Sequence, residues 1–144
     1  MVLVIDDALL LTVLAGTASP ELRNAMKRSE LFTTGSWYYR LGRAGHDRTL
    51  TGALSSAIGA FPPDRRARVQ TGLEALPQEV GLLGMRRLVP VMRQLDVGRR
   101  LNFLTAEAVA AAVILRGALR VTTESRLLRD ASGALGIDHR LVSL

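Results

Sequence analysis

Cysteine is absent from the 144 residues, so neither a disulfide framework nor a thiolate metal site can form. His46 and His139 are the only histidines, too few for a histidine metal cluster. Any metal must therefore be held by oxygen, which favours hard ions such as magnesium or manganese. No run of about 18 uncharged apolar residues occurs, so no membrane span is expected. There is no Gly-x-Ser-x-Gly, no glycine-rich phosphate loop and no histidine beside a plausible nucleophile, which removes the common serine and nucleotide chemistries. Internal repeats and low-complexity linkers are also missing, and one domain over 1–144 is expected.

Lysine occurs once, as Lys27, although Lys and Arg together number 19 against 13 Asp and Glu, a formal charge of +6. The basic character is thus arginine, whose planar fork suits phosphate and makes a nucleic-acid partner plausible; a codon bias toward Arg, Ala, Gly and Val accounts for it equally well. Apolar residues make up 48% of the chain, ample for a packed core. No Lys or Arg precedes the apolar start, and Asp6-Asp7 fall inside it, so a cytoplasmic protein is expected rather than an exported one.

The chain is organised around Val2-Leu3-Val4-Ile5-Asp6-Asp7-Ala8-Leu9-Leu10-Leu11, an uninterrupted apolar run that stops on two carboxylates and turns amphipathic. The run reads as a strand buried on both faces, delivering acid to the carboxyl edge of a parallel sheet, where ligand chemistry gathers. Asp6 is placed for chemistry there, or caps the following helix over Ala8–Ala15; Asp7 reads first as the cap.

Further on, Ser19-Pro20-Glu21 starts a helix that reaches Lys27. Glu30–Thr34 is a short strand feeding a helix with Trp37, Leu41 and Ala44 on one face. Leu50–Ala60 is helical, and Asp64 caps a basic helix running to Leu76. Glu79–Gly84 is a third strand, followed by a helix over Met85–Gln94 that Pro90 should kink or divide. Leu104 opens an alanine-rich helix to Leu115, ended by Gly117. Leu119–Thr123 is a strand, Glu124–Leu135 a helix and Ile137–Val142 a last strand. This alternation predicts a three-layer α/β/α fold with a mostly parallel central sheet.

Three acids form an ordered series: Asp6 after the first strand, Glu107 early in the alanine-rich helix and Glu124 directly after the next strand. With Val4–Leu10, Leu104–Ala110 and Arg120–Leu128 around them, they resemble the PIN-domain family over nearly the full length. The resemblance implies a PIN-like architecture and a metal-dependent endoribonuclease, toxin-like, with magnesium or manganese held by Asp6, Glu107 and Glu124 as catalytic and metal residues. RNA as substrate, an antitoxin or other protein partner, and a homodimer belong to the same expectation. Taken singly, Glu107 and Glu124 are also ordinary first-turn helix acids, stabilised by the helix dipole.

The chain departs from the family pattern in two ways. Glu107 and Glu124 stand where aspartate is usual, one methylene longer. In Gly35-Ser36-Trp37-Tyr38-Tyr39-Arg40-Leu41, Arg40 stands where the family supplies a glutamate, and no Asp or Glu occurs between Glu30 and Asp47. Asp47 and Asp96 are the alternative acids. A non-catalytic module that binds nucleic acid or a protein partner is the competing function.

Tyr38, Tyr39, Arg40 and Arg43 are the candidate nucleic-acid-binding residues, because aromatic faces beside arginine suit unpaired bases. Trp37 shares a face with Leu41 and reads as core. Arg65, Arg66 and Arg68 form a basic cluster that reads as a solvated helix face.

Overall fold

A computed structural model describes residues 1–47, 49–96 and 99–144. Strands β1 (Val2–Ile5), β2 (Glu30–Thr33), β3 (Val80–Leu82), β4 (Ala118–Val121) and β5 (His139–Leu141) form one sheet, all parallel, in the order β3-β2-β1-β4-β5. Between β1 and β2 run α1 (Asp7–Ala15) and α2 (Pro20–Met26); between β2 and β3, α3 (Gly35–His46), α4 (Ala53–Ala60) and α5 (Pro63–Glu74). The chain then passes through α6 (Met85–Asp96) and α7 (Phe103–Leu115) to β4, and through α8 (Arg126–Ala134) to β5.

β1 is the middle strand, and this is why its sequence shows no polar alternation. Leu3 and Ile5 point into one core with Leu9, Leu10, Leu14, Leu41 and Val69, while Val4 points into the other with Leu88, Val109, Leu119 and Val121. Helices before β3 serve mainly the first core and helices after it the second, as a single hand of crossover requires when the chain reverses direction across the sheet. The result is a three-layer α/β/α architecture, the arrangement expected of a PIN-like fold. Each fully buried leucine contributes about 1.5–3 kcal/mol relative to leaving it in water. Among the described residues no helix is long and apolar enough to cross a membrane.

Helix starts are set by side-chain caps worth about 1 kcal/mol each. Ser19 accepts from the Leu22 amide, Thr34 from Trp37, Asn102 from Thr105 and Ser125 from Leu128. Several ends differ from the sequence expectation. Asp6, not Asp7, caps α1, and Asp7 is the first helical residue. Asp64 lies inside the first turn of α5 and does not cap it. α6 continues through Pro90, because Leu88 and Leu95 are buried against the second core and their packing outweighs the lost hydrogen bond. α7 ends with Arg116, rather than Gly117, in the left-handed conformation at φ 50°. Gly117 answers a different need: a Cβ there would stand 3.0 Å from the Val2 carbonyl oxygen.

Two of these boundaries change the reading of the acids. α7 begins at Phe103, so Glu107 lies beyond its first turn, and α8 begins at Arg126, so Glu124 precedes it. Neither gains the first-turn stabilisation expected from the sequence.

Candidate functional site

In the strand order β3-β2-β1-β4-β5 the chain leaves β1 toward β2 on one side and returns to β4 on the other. The crevice beyond the carboxyl ends of β1 and β4 is therefore the topological switch point, the usual ligand position in an open parallel sheet. Asp6 follows β1 at this place, and its amide donates to the Arg120 carbonyl across the gap at 3.3 Å. Oδ1 accepts from the Leu9 amide at 2.9 Å. Oδ2 accepts from the Thr122 amide at 2.6 Å and the Thr122 hydroxyl at 2.8 Å. Both oxygens are thus held by the protein, one as helix cap and one as a tie from β1 to the end of β4. Thr33 completes the edge by donating its hydroxyl to the Ile5 carbonyl at 2.8 Å.

Asp7 is 7% exposed. Its Oδ1 accepts from the Ala8 amide at 2.9 Å, while Oδ2 is buried without a hydrogen-bond partner among the described residues. Nη1 of Arg40 comes within 3.4 Å of that oxygen, inside ion-pair range but outside hydrogen-bond geometry. Burial raises the Asp7 pKa above the ordinary 3.8; Arg40 opposes this and the neighbouring Asp6 charge adds to it.

Glu107 is 1% exposed. It reaches from α7 to the start of α3, where Oε1 accepts from the Ser36 amide at 3.4 Å and Oε2 accepts from the Ser36 hydroxyl. Gly35 allows this approach, since a Cβ there would stand 3.3 Å from Oε1. Glu124, half-buried in the β4–α8 connection, turns to other partners, with Oε2 3.2 Å from His139 Nε2 and Oε1 3.8 Å from Arg129 Nη1.

A cleft of about 190 Å³ opens at the switch point, lined by Asp6, Asp7, Trp37, Arg40, Asn102, Thr105, Thr123 and Ser125 among others; Glu107 and Glu124 do not line it. Among the described residues no group of three or more His, Asp or Glu is arranged to hold one metal ion. Asp6, Glu107 and Glu124 are all near strand or helix ends, but as placed they do not make a three-carboxylate centre. What meets in the cleft is Asp6 and Asp7, with Arg40 over the latter. Of the alternative acids, Asp47 turns its carboxylate back to Thr49, whose hydrogen bonds lower its pKa, and neither it nor Asp96 lines the cleft.

The candidate nucleic-acid residues separate along α3. Trp37 is 5% exposed and is core, as read from the sequence, but it packs in the second core while Leu41, expected on the same face, packs in the first; it also forms the cleft wall. Tyr38 donates its hydroxyl to the Leu73 carbonyl at 2.6 Å and is half-buried. Tyr39 is 67% exposed, and Arg40 and Arg43 are exposed beside it. In the basic cluster of α5, Arg66 and Arg68 are exposed, whereas Arg65 is half-buried and donates to the Ala15 carbonyl at 2.8 Å.

Sequence reasoning gave Asp7 only the helix-cap role, which Asp6 takes, and passed over Thr122, Ser36 and Asn102. A signal for Asp7 existed: two consecutive acids after a buried strand cannot both cap one helix, so the second needs another explanation. Thr122 and Ser36 carried no such signal, because their partners lie 116 and 71 residues away. No protein-family model matches the chain, and no curated protein matches it as a relative.

Proposed function

We propose that this chain is a PIN-like protein of the toxin-like ribonuclease kind whose hydrolytic site is closed, leaving the binding of RNA as its function. One observation carries the reading: Arg40 covers Asp7 at the switch-point cleft, at the place where the family resemblance calls for an acid. The remaining acids are engaged by protein donors, Asp6 by Leu9 and Thr122 and Glu107 by Ser36. A metal centre built on Asp6, Glu107 and Glu124 does not fit this arrangement, so no hydrolytic step is assigned to it. The charge of +6 and the exposed Tyr39, Arg40 and Arg43 support an RNA partner bound through phosphate and base faces.

The second reading is an active magnesium- or manganese-dependent endoribonuclease, favoured by the pairing of Asp6 with the partnerless Oδ2 of Asp7 in one cleft. Incubating the protein with single-stranded RNA and manganese separates the two. Binding that weakens steeply with salt, without strand cleavage, is expected; metal-dependent cleavage that disappears in Asp6→Asn establishes the second reading instead. Failure to bind RNA at about 50 mM salt removes the first.

A further inference from the structure

Beside the exposed face of α3 lies a second cleft, of about 500 Å³, lined by Tyr38, Tyr39, Gly42, Arg43, His46 and Leu73 together with Gly35. Its walls are fixed from both ends. The Tyr38 hydroxyl is tied to the Leu73 carbonyl at 2.6 Å, and the Gln70 amide donates to the Gly45 carbonyl at 2.6 Å, so α3 and α5 are clamped on either side. Between the clamps Gly42 leaves the backbone bare: a Cβ built there meets no heavy atom of the described residues within 4 Å. Aromatic surface therefore adjoins an open strip of helix backbone, and the guanidinium of Arg43 and the imidazole of His46 stand at the rim.

We propose that this cleft is the base-docking site for single-stranded RNA, receiving one unpaired base between Tyr38 and Gly42 with its phosphate on Arg43 and His46. The inference rests on the RNA-binding reading above and deepens it by naming where the strand is held. An unpaired base offers the two things the cleft matches, a flat π-face for the tyrosine and an anionic backbone for the basic rim. A paired base offers neither face, so duplex RNA is excluded from the cleft. Because the tyrosine is already anchored by its hydroxyl, little side-chain freedom is lost on docking. Tyr39, 67% exposed and next along the helix, supplies a second face for the adjoining base.

Gly42→Leu tests the site. The substitution puts a better helix former into α3, and its Cβ meets no heavy atom of the described residues, so the fold and its melting temperature should be retained while the rest of the side chain fills the cleft. Fluorescence anisotropy with labelled single-stranded RNA of about 12 nucleotides, and calorimetry with 5′-mononucleotides, give the readouts. Expected are a loss of affinity for the single strand of at least about tenfold, loss of mononucleotide binding, and an unchanged weak affinity for a duplex of the same length. Arg43→Glu should weaken single-strand binding and lower the log–log salt slope by about one. If folded Gly42→Leu binds single-stranded RNA as the native protein does, the cleft is not the site, although RNA binding itself stands. If the native protein binds no RNA, both the site and the functional reading fall.

Discussion

Nη1 of Arg40 stands 3.4 Å from Oδ2 of Asp7, and the two partners live in different environments: the arginine side chain is 54% exposed and the aspartate 11%. An arginine so well hydrated and in contact with water gains little from the pair, so the cost of burying the carboxylate is offset only in part. The pair therefore acts less as a stabilising bridge than as a cover over a carboxylate that the fold alone does not satisfy.

This predicts the pH dependence of Asp7. Its folded pKa lies above 3.8, chiefly through burial. The folded state thus favours the protonated form; the resulting stability is fully present below 3.8 and is lost as pH rises through the raised value. Asp7→Asn, which cannot ionise, should unfold at higher denaturant than the native protein at pH 7, by on the order of 1 kcal/mol, the scale of an unsatisfied buried polar group. The difference should shrink as pH approaches the unmodified carboxylate range. A native protein more stable than Asp7→Asn at pH 7, with the gap closing in acid, overturns the assignment.

The fold was legible because β1 is buried on both faces and therefore reads as pure Val, Leu and Ile, and because Ser19 with Pro20 marks a helix start where capping chemistry is local. Asp6 was legible for the same reason, standing at the end of the one unmistakable strand. What could not be read was the pairing of acids with donors. Glu107 looks like an exposed helix acid until α3 is folded against α7 and Ser36 meets it. Glu124 looks like a helix start until Ser125 takes the cap. At α7 and α8 the boundary errors were of one and two residues, but for acids at element ends that distance decides which role is available.

Removing the guanidinium should expose the cleft to cations. Because Arg40 is mostly in water, its repulsion of a divalent ion about 4 Å away is best reckoned at the dielectric of water, giving roughly 2 kcal/mol. That corresponds to about thirtyfold in affinity. Manganese should accordingly raise the melting temperature of Arg40→Ala more than that of the native protein, and Arg40→Glu, which adds a ligand as well, should show the larger rise. Equal responses in all three proteins would show that Arg40 does not guard the cleft.

Asp6 should prove structural as well as functional. Asp6→Ala removes a helix cap and leaves the Thr122 amide and hydroxyl without their acceptor, a combined cost of about 3 kcal/mol. Thr122→Val removes only the hydroxyl bond and should cost about 1 kcal/mol. Urea unfolding midpoints test both. An Asp6→Ala protein as stable as the native one would mean that these hydrogen bonds contribute nothing net, and any loss of RNA affinity in that variant would then be attributable to the cleft.

The Ser36–Glu107 contact joins α3, which carries the residues proposed to face RNA, to α7 in the opposite layer, so its energetics bear on how firmly that proposed face is held. Glu107 is almost fully buried, and among the described residues its carboxylate is supplied by Ser36 alone, through amide and hydroxyl. Ser36→Ala strips the hydroxyl and strands a buried carboxylate oxygen, which should cost more than the usual 1 kcal/mol of a neutral hydrogen bond, about 2–3 kcal/mol. Glu107→Leu removes the charge and the need for the donor together; filled with apolar volume, the position should lose little. The double variant Ser36→Ala/Glu107→Leu should then be more stable than Ser36→Ala alone, because the second change relieves the defect left by the first. A double-mutant cycle in urea measures this directly. Additive losses, with the double variant the least stable of the three, would mean that the two residues do not depend on each other and that another contact holds α3 against α7.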